Sequence, residues 1–258
     1  MEYAQFTSDI EVCLRVAVRD CFPRTWDEDH ITLSLTERLQ KQFRRVEIDD
    51  LDRHYHVSWD AYKMTGQAEQ RFGDLGVLVS MQTWGGETLE GVGLLEAKRR
   101  DRNSSRFKAM KPSQLRRLHN KTRNSQLLLY DYDQISGFED NLHAAHCWAR
   151  LGAPIWRVHP NFLSSTPYSH AVVLPIGTAL ELKPITTDLY KFSLPFSHQL
   201  CGRYLRGFDL ETEPDIIEAV KGVSDEWGGP SYLWVLSVST GLEPPPVQLN
   251  PEVYRPID

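Results

Sequence analysis

Two short apolar runs, Gly73-Asp-Leu-Gly-Val-Leu-Val79 and Gly91-Val-Gly-Leu-Leu-Glu-Ala-Lys98, flank Gly85 and Gly86. Each run is too short for a helix, is bounded by turn residues and reads as a strand. Adjacent glycines supply the positive backbone dihedrals that a hairpin turn needs. A turn centred on that pair makes positions summing to about 172 face each other, which puts Asp74 opposite Lys98 and diagonal to Glu96. Glu96 and Lys98 share one face because side chains alternate along a strand. The hairpin is therefore expected to gather two acids and a lysine, with the diagonal carboxylates roughly 7 to 8 Å apart, a gap that one divalent cation spans.

That constellation suits phosphodiester hydrolysis, which needs an activated water and relief of the charge that builds on phosphate and leaving oxygens. Mg²⁺ held by hard oxygen ligands supplies both, and Mn²⁺ is expected to substitute. The expected ligands are Asp74, Glu96 and the Ala97 carbonyl, with Lys98 as the fixed cation that orients water or neutralises charge in the transition state. An acid-x-Lys triplet also occurs as an ordinary strand-end ion pair. Against that, Glu96 closes an apolar strand, where an unpartnered charge is costly.

The order of elements around the hairpin adds to this. Ile31, Leu35, Leu39 and Phe43 recur at a four-residue stride and predict an amphipathic helix, with Asp27 to Asp29 ahead of it as N-cap candidates. The run from His54 to Tyr62 is rich in aromatics and predicts a first strand; the Asp74 and Glu96 strands follow. Pro112 opens a helix through His119, and Ser125 to Tyr130 reads as a buried strand. In motif and element order the segment from about Asp29 to Arg157 resembles the PD-(D/E)XK nuclease superfamily, the restriction-endonuclease-like fold, whose core runs helix, three antiparallel strands, helix, strand. The resemblance implies an α/β fold with a restriction-endonuclease-like core, a central mixed β-sheet flanked by helices, followed by a C-terminal α+β extension. It gives Asp74, Glu96 and Lys98 the metal-ligand and catalytic roles, and Glu37 and Gln114 those of the helix glutamate and the later helix glutamine that many members carry. Gly73 stands where the formal signature has proline. The implied activity is Mg²⁺-dependent endonucleolytic hydrolysis of DNA, as an effector in defence or genome maintenance. An RNA-cleaving enzyme of the same fold and a non-catalytic binding scaffold are the alternatives. The partners implied are DNA, a helicase, ATPase or sensor subunit, and a second copy of the chain.

Charge distribution bears on the substrate. The chain has a net charge of −6, yet from Lys98 to Arg123 it places eleven basic residues against Asp101 alone. Arg99, Arg100, Arg102, Arg106, Lys108, Lys111, Arg116 and Arg117 are the phosphate-contacting candidates. Arg99 to Lys111 has few apolar residues and the composition of a loop that orders on substrate.

The expected organisation is a helical segment over 1–28, a nuclease core over 29–160, and an extension over 161–258 packed on that core with a proline-rich tail over 243–258. A helix from Gly137 to Gly152 and a strand from Pro154 to His159 would extend the α/β pattern. Helices are also expected over Leu189 to Arg206 and Pro214 to Val223, and strands over Ser169 to Leu182 and Ser231 to Thr240. The chain shows no spanning apolar stretch and no basic-then-apolar leader, so a cytoplasmic protein without membrane attachment is expected. Cys13, Cys21, Cys147 and Cys201 lack zinc-knuckle spacing and are expected as reduced thiols. His143 and His146, one turn apart beside Cys147, have a spacing that could bind a transition metal but read as satisfied histidines on a helix face; His54 and His56, alternating on one strand face, read the same way, with contact to substrate as the alternative.

Overall fold

The computed structural model describes residues 1–50, 53–65, 72–82, 86–107, 110–136, 168–182, 185–224, 228–240 and 246–257. The expected helix over Gly137 to Gly152 and strand over Pro154 to His159, with His143, His146 and Cys147, lie outside these residues.

Helix α1 (Tyr3–Cys21) precedes α2 (Glu28–Phe43), whose first free amides are capped by Asp27, its carboxylate accepting from His30 N at 3.0 Å. Strand β1 (Arg45–Asp50) turns back into β2 (Arg53–Met64); β3 (Leu75–Gln82) and β4 (Thr88–Arg99) form the hairpin foreseen around the glycine pair. Helix α3 (Pro112–Lys121) leads to β5 (Gln126–Ile135), followed by β6 (Ser169–Pro175), α4 (Ile176–Glu181), a run of short helical turns interrupted by β7 (Leu194–Pro195), α5 (Pro214–Lys221), β8 (Tyr232–Ser239) and β9 (Tyr254–Pro256). The result is an α/β protein with a mixed nine-stranded sheet in the order β1-β2-β8-β3-β4-β5-β6-β7, β9 pairing with β2 beside β1. Among the described residues no helix is long and apolar enough to cross a membrane.

One face of the sheet packs on α1 and α2 through Phe6, Ile10, Leu14, Ile31, Leu35, Leu39, Trp59, Val77, Ala97 and Trp234. The other carries two separate apolar clusters. Leu115 and Leu118 of α3 pack with Leu127, Leu129 and Leu174, while Ile217 and Val220 of α5 pack with Leu78, Leu94 and Val235. Cys13, Cys21 and Cys201 are free thiols in the interior.

Several expectations change. The C-terminal part is not an extension set upon a finished core. Strand β8 lies between β2 and β3, antiparallel to the first and parallel to the second, and α1 shares one core with the sheet. All eight β8 residues are buried, as a strand covered on both faces must be, and its near-continuous apolar run reflects that position. Ser169 to Leu182 is a strand only to Pro175, beyond which the chain coils into α4. The stretch from Leu189 to Arg206 is broken by Pro195, whose missing amide cannot continue a helix. Within the proline-rich tail, Tyr254 to Pro256 add a strand against Tyr62 to Met64.

Candidate active site

The β3–β4 pairing runs Leu75 with Leu95, Val77 with Gly93 and Gln82 with Thr88. This register is displaced from the expected one, so continuing it places Asp74 opposite Glu96 rather than opposite Lys98. The displacement moves each partner by two residues, and an even shift leaves every side chain on its original face. Asp74 is fixed from both sides: its amide donates to Leu95 O at 2.9 Å and its carbonyl accepts from Tyr232 N at 3.0 Å. The C-terminal strand thus positions a residue of the site. Gly73 has φ +88°, and a Cβ there would stand 2.6 Å from Leu95 O. Glycine is required where the chain enters β3 in a left-handed conformation against the β4 backbone.

Glu96 and Lys98 alternate with Leu95 and Ala97, which face α1 and α2, and so point to the face that bears α3 and α5; only 2% and 4% of their surface is exposed. Lys98 Nζ donates to Glu96 Oε1 at 2.5 Å and to Ala97 O at 2.7 Å, and lies 3.7 Å from Asp74 Oδ2 and 4.0 Å from Glu28 Oε2. Three carboxylates therefore surround one ammonium. A backbone or side-chain N–H holds each of them: Ala97 N donates to Asp74 Oδ2 at 2.8 Å, Gln114 Nε2 to Glu96 Oε1 at 2.5 Å, and Arg99 N to Glu28 Oε1 at 3.3 Å.

Burial pushes the Glu96 carboxyl up to about 7, with the adjacent Asp74 adding to the effect. Burial also raises Asp74 and Glu28, against the pull of Lys98 on each. Lys98 stays above the ordinary lysine value, since Asp74 and Glu96 outweigh the burial that works against its charge. With all three acids ionised the cluster carries two more negative than positive charges. Its acceptors are all oxygens, three carboxylates and the Ala97 carbonyl, the donor set that a hard divalent cation takes. The residues present fit Mg²⁺.

The helix carboxylate at this site is Glu28, not Glu37. Glu37 lies nine residues further along α2, which at 100° and 1.5 Å per residue puts it about 13 Å away and on the opposite side of the helix; it is exposed. Glu28 was legible as one of three acids preceding the helix, but only the cap at Asp27 fixes it as the first helical residue facing the end of β4.

The basic segment divides. Arg100 turns inward, its Nε 3.1 Å from Asp131 Oδ1, its other end paired with Asp133 and its guanidinium 4.1 Å above the Tyr132 ring. Arg102 donates to Pro23 O, and Arg99 lies 3.9 Å from Asp101. The connection after β4 is anchored: Trp26 Nε1 donates to Arg100 O at 2.8 Å, Asp101 N to Arg106 O at 2.9 Å, and Phe107 is buried in the α3 cluster. Composition hid these anchors because a single tryptophan and a single phenylalanine supply them. Lys108 lies outside the described residues. Arg106, Lys111, Arg116 and Arg117 are exposed; Lys111 is the N-cap of α3, and Arg117 follows Gln114 by three residues on the same side of that helix. Comparison with protein-family models, curated proteins and solved structures finds no match to this chain.

Proposed function

We propose that the chain is a Mg²⁺-dependent endonuclease that hydrolyses phosphodiester bonds of DNA. The observation that carries this reading is the convergence of Asp74, Glu96 and Glu28 on the buried Lys98, with Gln114 orienting Glu96. Asp74, Glu96 and the Ala97 carbonyl would hold Mg²⁺, with Glu28 beside them. When bound, the ion lowers the pKa of a water and offsets charge on the phosphate oxygens. The chain's own residues do the rest. Amide N–H groups of Ala97 and Arg99 and the Gln114 side chain fix the carboxylates before substrate arrives, so no reorganisation is needed on binding. Lys98, held between Glu96 and the Ala97 carbonyl, keeps a positive charge where negative charge develops on phosphate. Lys111 and Arg117 would hold the flanking backbone, with the salt dependence that phosphate contacts impose. The resemblance to the PD-(D/E)XK superfamily agrees with this chemistry, and by that resemblance the enzyme would act in defence or genome maintenance beside a helicase, ATPase or sensor subunit.

The test offers matched duplex DNA, single-stranded DNA and RNA with Mg²⁺ or Mn²⁺, with and without EDTA. Metal-dependent cleavage of DNA is expected; cleavage of RNA alone would transfer the reading to a ribonuclease, and cleavage undiminished by EDTA would remove the metal from it.

A further inference from the structure

The β1–β2 hairpin at the sheet edge carries a second group of ligating side chains. Val46, Ile48, Tyr55 and Val57 face α1 and α2, so strand alternation turns Glu47, Asp49, His54 and His56 to the other face. There Glu47 is the cross-strand partner of His56, and Asp49 of His54. The two imidazole rings stand 5.0 Å apart, nearly perpendicular. His54 Nε2 lies 3.8 Å from Glu47 Oε2, and His56 Nδ1 lies 3.8 Å from Glu47 Oε1. One ligand atom from each of Glu47, His54 and His56 falls within 4.8 Å of the other two. A tetrahedral Zn²⁺ with bonds of roughly 2.0 to 2.2 Å needs ligand atoms roughly 3.3 to 3.6 Å apart, a distance that small side-chain rotations reach.

A second contact sets the chemistry. His54 Nδ1 is 2.7 Å from Asp49 Oδ1. A carboxylate at Nδ1 holds the proton there, leaving the Nε2 lone pair directed toward Glu47, and this carboxylate–histidine relation is the one that orients imidazole on a metal. Two imidazoles and one carboxylate select a borderline cation such as Zn²⁺ over Mg²⁺. Strands β8 and β3 lie between β2, which carries both histidines, and β4, about 14 Å at the usual strand spacing, so the group is distinct from the Asp74–Glu96 cluster.

We propose that Glu47, His54 and His56 form a Zn²⁺ site on the outer hairpin, with Asp49 the positioning residue that orients His54 and the remaining coordination position open to solvent. The three ligands and Asp49 stand at or near the surface, so their substitution leaves the core untouched. The test titrates the full chain with ZnCl₂ alone, by calorimetry and by competition with a chromogenic chelator, after checking by circular dichroism that each variant is folded. Wild type is expected to bind one Zn²⁺ tightly, and His54→Gln with His56→Gln to weaken that binding at least a hundredfold. Asp49→Asn is expected to weaken it about 10- to 100-fold. Asp74→Asn with Glu96→Gln should leave it in place. Zn²⁺ affinity unchanged in the double histidine variant, lost in the Asp74/Glu96 variant, or absent at micromolar metal in wild type would each overturn the site; unchanged affinity in Asp49→Asn would overturn the role of Asp49.

Discussion

Replacing Lys98 by alanine strips the single ammonium from a group of three carboxylates. The Lys98 and Glu96 side chains are 5% and 3% exposed, whereas Asp74 and Glu28 keep about a quarter of theirs in solvent. Breaking a buried ion pair by removing one partner costs about 3 to 5 kcal/mol; partial screening of Asp74 and Glu28 argues for the lower end, about 3 kcal/mol. In a chain of this length that loss corresponds to a fall in Tm of roughly 6 to 12 °C. Glu96→Gln behaves differently, because it removes one of the crowded carboxyls, keeps an oxygen for Gln114 and leaves Lys98 paired with Asp74 and Glu28. Its Tm is expected to match or exceed wild type. Melting curves in EDTA near pH 8 distinguish these outcomes. Adding Mg²⁺ at ten times its dissociation constant should then raise wild-type stability by about 1.4 kcal/mol, raise Lys98→Ala by more because the ion takes the place of the ammonium, and leave Glu96→Gln nearly unmoved. A Lys98→Ala variant that melts within a degree or two of wild type in EDTA would refute the reasoning, since its carboxylates would then need no counter-charge.

Other residues give independent tests. Glu11 of α1, buried against Ser197, has its carboxyl pushed from 4.5 up to about 7 by desolvation, against a hydrogen bond from Ser197. The folded state therefore binds the extra proton between those values, and its stability falls as pH rises through that window by about 3 kcal/mol. Glu11→Gln should remove that loss, so urea unfolding at a series of pH values should show the variant gaining on wild type toward neutrality; parallel curves would contradict it. Gly73→Ala should destabilise by at least about 1 to 2 kcal/mol, from the left-handed backbone alone, and should also weaken Mg²⁺ binding because Asp74 shifts with it; calorimetry reads both. Neutralising Lys111 and Arg117 together should lower duplex-DNA affinity and reduce the slope of log K against log salt by roughly 1 to 2, whereas Arg102→Ala, already engaged with Pro23, should change that slope little.

The parts of this architecture readable from sequence are those set by nearby residues. The glycine pair and its flanking apolar runs encode the β3–β4 hairpin, the stride of Ile31, Leu35, Leu39 and Phe43 encodes α2, and Pro112 marks the start of α3. Parity along β4 puts Glu96 and Lys98 on one face whatever the register, so the acid-acid-lysine group survives a register that the turn alone did not fix. Long-range pairing is another matter. Strand β8 enters between β2 and β3 from more than 140 residues away, and its uniform apolarity says that it is buried without saying between which neighbours. Strand β1 did carry a signal, since Val46 and Ile48 alternate with Glu47 and Asp49 as Tyr55 and Val57 alternate with His54 and His56, and pairing the two patterns brings the ligating groups of the outer hairpin together. The choice of Glu28 over Glu37 turned on one capping contact at Asp27. The inward turn of Arg100 depends on Asp131, Tyr132 and Asp133 of a strand that parallel pairing alone brings alongside β4.

If Asp74, Glu96 and Lys98 form one metal-dependent hydrolytic site, wild type nicks supercoiled plasmid with Mg²⁺, EDTA abolishes the nicking, and a Glu96→Gln protein of wild-type Tm nicks at least about 100-fold more slowly. Equal nicking by the two proteins would contradict it.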